Sequence, residues 1–205
     1  MKTLNFYEQR CWGENKLCLG IDEAGRGPLA GPLVVAGVVF PLNYDSKEIY
    51  DSKKLTIAKR EELFNRIISD AVHYEIKVVS VAEIDKLNIY QATKKATLEI
   101  ALNANISMVL TDAMPLDINI ETISLIKGDQ KSCSIAAGSI LAKVTRDRIM
   151  VEYDKQFPNY GFAKHKGYAT AMHLVALNKY GPTIIHRFSY APVKAAAQEK
   201  LDLSE

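Results

Sequence analysis

Three features of this 205-residue sequence predict an α/β fold. Leu33 to Phe40 (LVVAGVVF) is a continuous β-branched run, the pattern of a strand buried on both faces. Apolar runs of strand length alternate with longer stretches in which apolar residues recur at helical spacing. Aspartates stand just beyond the ends of two of those strands, where α/β sheets gather their ligands. The length suits one good-sized core, so a single catalytic domain over residues 1–205 is expected, with a helical C-terminal extension from about residue 168.

The first strand alternates through Leu17, Leu19 and Ile21 and ends at Asp22 and Glu23. A loop containing Gly25, Gly27, Pro28, Gly31 and Pro32 follows, bare and stiff enough for a ligand to approach its main-chain N–H groups. Leu33–Phe40 is the second strand. After a polar connection over 41–55, Thr56 is placed to cap a helix with Leu63, Phe64, Ile67 and Ile68 on one face. His73 to Val81 alternates as a third strand, and Ala82 to about Asn105 reads as one helix from the spacing of Ile89, Ala92 and Ala96. Ser107–Leu110 and Ile123–Ile126 are further strands, leading into Asp112 and, through Lys127-Gly128, into Asp129. Ser134 to about Tyr153 is a long helix whose small residues, Ala136 to Ser139, suit close packing on a sheet. Residues 157–167 read as a loop, Tyr168–Lys179 as a helix and Lys194–Leu203 as the last one.

The formal net charge of +2 conceals an uneven distribution. Residues 127–187 hold ten Lys/Arg against four acids, a net of +6 that leaves −4 for the remainder. With His165, His173 and His186 inside it, this block fits a surface facing a polyanion, although helices with solvated basic faces read the same way. Cys11, Cys18 and Cys133 show no C-x-x-C spacing, which indicates neither a disulfide framework nor a zinc site and points to a reducing, cytoplasmic setting. No stretch approaches the roughly twenty apolar residues that span a bilayer, and the N-terminus lacks a signal-peptide core, so no membrane partner is expected.

Two carboxylates at a strand end repel unless a cation accompanies them, and either Arg26 or a metal ion would serve. If the first, fourth and fifth strands are neighbours, Asp22, Glu23, Asp112 and Asp129 converge as an oxygen-only donor set, which suits Mg²⁺ or Mn²⁺ better than zinc. Two such ions activate water on one side of a phosphodiester and stabilise the leaving oxygen on the other. Consecutive strand residues point to opposite faces, so Asp22 and Glu23 share a site only if the strand breaks or bulges there, as Gly25 permits. Taken singly, Asp112 would also serve to cap the turn at Ala113-Met114-Pro115 and Asp129 would serve as a turn residue. Asp147 pairs with Lys143 on a helix surface. Asp51 either opens a loop or helix, or helps present Lys53 and Lys54 to phosphates. Gly25 to Ala30 matches a loose G-x-G-x-x-A dinucleotide pattern, but that motif must open a helix and here prolines lead into a strand. The loop instead offers main-chain donors and one guanidinium to a sugar hydroxyl or phosphate.

Seven segments between Leu17 and Lys194 resemble, in order, bacterial ribonuclease HII of the type 2 ribonuclease H family. They are GIDEAGRGPLAGP (20–32), DSKKL (51–55), TDA (111–113), KGD (127–129), SIAAGSILAKVTRD (134–147), FPNYGFAKHKGY (157–168) and FSYAPVK (188–194). The resemblance implies a ribonuclease H-like fold: a mixed five-stranded sheet flanked by helices, with a small helical C-terminal portion. It implies an endonuclease using Mn²⁺ or Mg²⁺ that cleaves the RNA strand of RNA/DNA hybrids and incises 5′ of single ribonucleotides in duplex DNA. Asp22, Glu23, Asp112 and Asp129 would be its catalytic metal ligands. Gly25, Arg26 and Gly27 would read the 2′-hydroxyl, Tyr168 would stack on the adjoining deoxyribose, and Lys53, Lys54 and Lys166 would make further substrate contacts.

Two positions depart from the family pattern. Gly138 stands where an alanine is more usual and should cost helix stability by roughly 1 kcal/mol. Met114 follows TDA where many members have a glycine-containing turn, which leaves that loop's path open. Near the C-terminus, Gln198 to Leu203 (QEKLDL) loosely resembles the Q-x-x-L peptides that dock on sliding clamps but lacks an aromatic anchor; a solvated terminal helix is the alternative. The chain is expected to work as a monomer. A junction resolvase on the same fold and a non-catalytic nucleic-acid-binding protein are the competing readings; the GRG loop argues against the first and the four carboxylates against the second.

Overall fold

Residues 4–50 and 52–202 are described by the computed structural model of the chain. The strands are β1 (Leu19–Ala24), β2 (Leu33–Val39), β3 (His73–Val79), β4 (Met108–Asp112) and β5 (Glu121–Leu125). They form one sheet in the order β3-β2-β1-β4-β5. β1 is antiparallel to β2 and parallel to β4, and β4 is parallel to β5, so the sheet is mixed. Every residue of β2 is buried, as its unbroken apolar run requires.

The helices are α1 (Phe6–Gly13), α2 (Ile57–Asp70), α3 (Val81–Leu87), α4 (Ile89–Asn103), α5 (Cys133–Gln156), α6 (Phe162–His165), α7 (Ala171–Tyr180) and α8 (Ala191–Asp202). Thr56 caps α2 as expected, its hydroxyl accepting the Lys59 N–H at 3.2 Å. The single helix expected over 82–105 is instead two. Ser80, read as strand, caps α3, and Asn88 breaks the helix with φ of 66° while its side chain accepts the Gln91 N–H at the start of α4. Tyr168 precedes α7 instead of opening it, because Thr170 is the cap. The short α6 lies within the stretch read as loop, and α1 lies in a segment given no element.

The chain forms two compact units. The first comprises the residues up to Ala24, Val34–Lys77 and Thr93–Val144; the second comprises Gly25–Leu33, Val78–Ala92 and the residues from Thr145 onward. In the first unit α5 covers one sheet face and α4 the other. A Cβ at Gly138 of α5 would stand 2.7 Å from the Ala36 carbonyl oxygen and 3.2 Å from the Asp22 nitrogen, and one at Gly37 would stand 2.6 Å from Ile100 of α4. Gly138 is therefore the point of closest helix–sheet approach, directly over Asp22, and not merely a weak helix former.

The N-terminal helix contributes a fully buried carboxylate. Glu8 Oε1 accepts the Ser132 hydroxyl at 2.5 Å and the Ser134 N–H at 3.0 Å, so it caps α5 from a distant part of the chain. The Cys133 N–H completes this junction by donating to Leu4 O at 2.8 Å. The three cysteines are free and buried, and burial pushes the thiols of Cys18 and Cys133 far up.

Candidate active site

The acidic corner belongs to the first unit. In the parallel pairing of β1 with β4, Ile21 is opposite Thr111, so the next residues, Asp22 and Asp112, sit side by side on the face covered by α5. β5 carries the chain into a 3-10 turn (Gly128–Gln130) that holds Asp129. Asp112 Oδ1 accepts the Gly128 N–H at 2.7 Å, which ties the fourth acid to the third and replaces the local turn cap that Asp112 would otherwise supply. The path of the loop after Asp112 is also fixed. Ala113 is left-handed (φ 47°), Met114 is buried, and the Thr111 hydroxyl donates to the Met114 carbonyl at 2.6 Å.

Asp22 and Asp129 are buried, whereas Glu23 and Asp112 are half-buried. Burial, reinforced by the charges of Glu23 and Asp112, pushes the Asp22 carboxyl well above the ordinary range. Two hydrogen bonds oppose that shift: the Glu23 N–H donates to Asp22 Oδ1 at 2.7 Å, and the Ser139 hydroxyl donates to the same carboxylate. Ser139 lies 2.8 Å from the Ser52 hydroxyl, next to Lys53, whose ammonium stands 3.2 Å from Asp129 Oδ2. Ser52 and Ser139 were not singled out from sequence, although Ser139 adjoins Gly138, where α5 passes over Asp22.

The expected break between Asp22 and Glu23 is absent. β1 pairs regularly with β2 through Asp22–Ala36, Glu23–Val35 and Ala24–Val34, and the chain turns only at Gly25 (φ 105°). Alternation therefore turns Glu23 away from the Asp22 face. Among the described residues, no three His, Cys, Asp or Glu side chains stand close enough to hold a metal ion. The donor chemistry nevertheless fits a hard divalent cation. All the donors are oxygens, a buried carboxylate lies among like charges, and an ammonium already occupies a cation position against Asp129.

The glycine loop and Tyr168 belong to the second unit, which gathers them together. Tyr168 is 45% exposed, and a Cβ at Gly27 would stand 3.8 Å from its ring. Beneath the loop lie two fully buried arginines. Arg187 donates to Gly25 O (2.7 Å), Arg26 O (3.1 Å) and Gly31 O (2.9 and 3.0 Å). Arg146 donates to Ala30 O (3.0 Å), Pro32 O (2.9 Å) and Lys166 O (2.9 Å), and it lies 5.9 Å from the Tyr168 ring centre. Burial and the like charge of Arg187 pull the Arg146 guanidinium down to about 10. Lys166 is left-handed (φ 52°), with its ammonium donating to Ala163 O at 2.5 Å. Lys54 belongs to a 3-10 turn (Ser52–Lys54), but its side chain, like Asp51 and Leu203, lies outside the described residues.

The basic block is thus not wholly a polyanion surface, because Arg146, Arg187 and its three histidines are buried. One set of neutral tautomers satisfies all three imidazoles. The Thr183 N–H donates to His186 Nδ1 (2.9 Å), His186 Nε2 donates to His173 Nε2 (3.0 Å), and His173 Nδ1 donates to Tyr168 O (2.9 Å). His165, stacked 4.5 Å from His173, accepts the Gly167 N–H and donates to Tyr160 O. Burial lowers both His173 and His186, the latter to about 4.

A mixed five-stranded sheet with helices on both faces and carboxylates at the ends of its central strands is the ribonuclease H-like fold, shared with solved ribonucleases H2 and HII. The ribonuclease H2 of Pyrococcus horikoshii superposes with a TM-score of 0.74 at 25% identity, covering 89% of this chain and 98% of that one. The ribonuclease HII of Archaeoglobus fulgidus, solved in complex with PCNA, gives a TM-score of 0.74 at 28% identity, covering 85% and 95% of the two chains. A family model described as ribonuclease HII matches residues 19–193, and the ribonuclease HII of Bacillus licheniformis is 53% identical over 178 residues, 86% of this chain and 70% of that protein. The chain belongs to the ribonuclease HII family. With membership comes the class of activity, hydrolysis of RNA in RNA/DNA hybrids, which sets aside the resolvase reading.

Proposed function

We propose that this chain is a divalent-metal-dependent endonuclease that incises 5′ of single ribonucleotides in duplex DNA as well as within RNA/DNA hybrids, leaving 3′-hydroxyl and 5′-phosphate ends. The observation that carries the reading is the register of β1 and β4, which sets Asp22 beside Asp112 and, through Gly128, brings in Asp129. Asp22, Glu23, Asp112 and Asp129 would hold two Mg²⁺ or Mn²⁺ ions, whose charge would make a water nucleophilic and stabilise the leaving oxygen. Glu23 must rotate around the strand end to join them. Ser139 orients Asp22 and favours its ionised form, and Lys53, on leaving Asp129, would meet a phosphate. The loop at Gly25, Arg26 and Gly27 reads the 2′-hydroxyl, and the exposed Tyr168 ring stacks on the neighbouring sugar. Lys54 and Lys166 contribute backbone contacts to the duplex.

We place the protein in the cytoplasm, acting as a monomer in DNA repair and replication. None of the described helices is long and apolar enough to cross a membrane. The PCNA complex of the Archaeoglobus enzyme supports a sliding clamp as a partner, reached through Gln198 to Leu203. The test of the activity is cleavage of a duplex carrying one ribonucleotide, beside an all-DNA control. Metal-dependent incision 5′ to the ribonucleotide, lost in chelator and reduced by at least about a thousandfold in Asp129→Asn, is the expected result. Equal cutting of the all-DNA control would refute it.

A further inference from the structure

Arg187 lies outside every motif that carries the chemistry, yet it is the most extensively bonded side chain under the glycine loop. Its guanidinium takes the carbonyls of Gly25, Arg26 and Gly31, and the Arg26 carbonyl also accepts the Tyr190 hydroxyl at 2.7 Å. Tyr190 is in turn held by Arg187 Nη1 at 3.0 Å, with the guanidinium 5.3 Å from its ring centre. A trans peptide is planar, and its C=O and N–H point in opposite directions. Fixing the Arg26 carbonyl inward on two donors therefore fixes the Gly27 N–H outward. Gly27 is exposed, beside the Tyr168 ring. A carbonyl that accepts from a cation is polarised, and the N–H of the same peptide becomes a better donor.

We infer that Arg187, with Tyr190, is a positioning residue for ribose recognition: together they lock the Arg26–Gly27 peptide so that the Gly27 N–H faces the 2′-oxygen of the ribonucleotide. This rests on the proposed reading of the glycine loop and names what sets its specificity. Lysine at 187 would keep the charge but not the planar fork that reaches three carbonyls at once. Phenylalanine at 190 removes one of the two donors to Arg26 O and leaves the ring packing in place.

The test measures affinity in calcium buffer for three duplexes, carrying at one position a ribonucleotide, a 2′-fluoro nucleotide or a deoxynucleotide, with melting temperatures recorded alongside. The wild-type protein should prefer the ribonucleotide over both others. In Tyr190→Phe that preference should fall by about fivefold, the scale of one hydrogen bond, with affinity for the all-DNA duplex changed by less than about twofold. Arg187→Lys should lose more of the preference; should it fail to fold, Tyr190→Phe decides alone. A preference unchanged in Tyr190→Phe, or lost in equal measure for all three duplexes, overturns the inference. A wild-type protein with no preference would overturn the underlying reading of the loop itself.

Discussion

At the acidic corner, carboxylates crowd together with one ammonium among them, and the charge of Asp22 is resisted by burial and by two like neighbours. Under the glycine loop, two guanidiniums are buried just as deeply, but their hydrogen bonds go to the carbonyls of Gly25, Arg26, Ala30, Gly31, Pro32 and Lys166. Burying a charge is costly in both places, and the fold compensates the second far more fully than the first. The difference separates two tasks. On the proposed reading, a centre that takes up cations is left electrostatically unsatisfied, while a centre that presents a fixed shape is held from several sides.

Removing the unsatisfied charge should have the largest effect, in two opposite directions. Asp22→Asn should reduce cleavage by about a thousandfold or more while raising the melting temperature in chelator by about 2–4 °C. The folded Asp22 carboxyl is raised above its ordinary 3.8, so the folded protein keeps a proton that the unfolded chain releases. Its contribution to stability is therefore fullest in acid, declines as pH rises from the unfolded value through the folded one, and is a cost at neutrality. Thermal melts of both proteins with and without Mg²⁺ test this; the added ion should stabilise the wild type and not the variant.

Breaking the braced loop comes next. Gly25→Ala forces a side chain into the left-handed region at φ 105° and into the Arg146 guanidinium, and should cost about 3 kcal/mol in a denaturant titration. The smallest effect sharpens the comparison from the side of pH. His186 titrates near 4 when folded and near 6.5 when unfolded, so its contribution is intact above 6.5 and is lost as pH falls towards 4. Between pH 7 and 5 this should remove about 2 kcal/mol. A second proton on His186, at Nδ1, would face the Thr183 N–H that this nitrogen now accepts. His186→Gln should flatten that part of the pH profile.

Much of this was legible in the chain and some was not, for identifiable reasons. An unbroken run such as Leu33–Phe40 and a cap such as Thr56 carry local signals, so β2 and the start of α2 were readable directly. The carboxylates were readable because each ends or follows a strand, though the regular pairing through Glu23 was not, since a bulge and its absence look alike in sequence. The break at Asn88 depends on a single left-handed residue inside good helix formers. Arg146 and Arg187 were the least legible. In a basic block, an arginine that braces carbonyls has the same letter and the same neighbours as one bathed in solvent, and only the loop folded over it distinguishes the two.

The cap that Glu8 places on α5 bears on what counts as the folding unit. The match to the family model begins at residue 19, yet the amino end of the helix that lies over Asp22 is closed by a carboxylate eleven positions earlier. At the other boundary, Ala196 packs with Leu29, Leu177 and Val193, beyond the last matched residue. A protein trimmed to residues 19–193 would keep Asp22, Glu23, Asp112 and Asp129 while shedding a helix cap at one end and an apolar contact at the other.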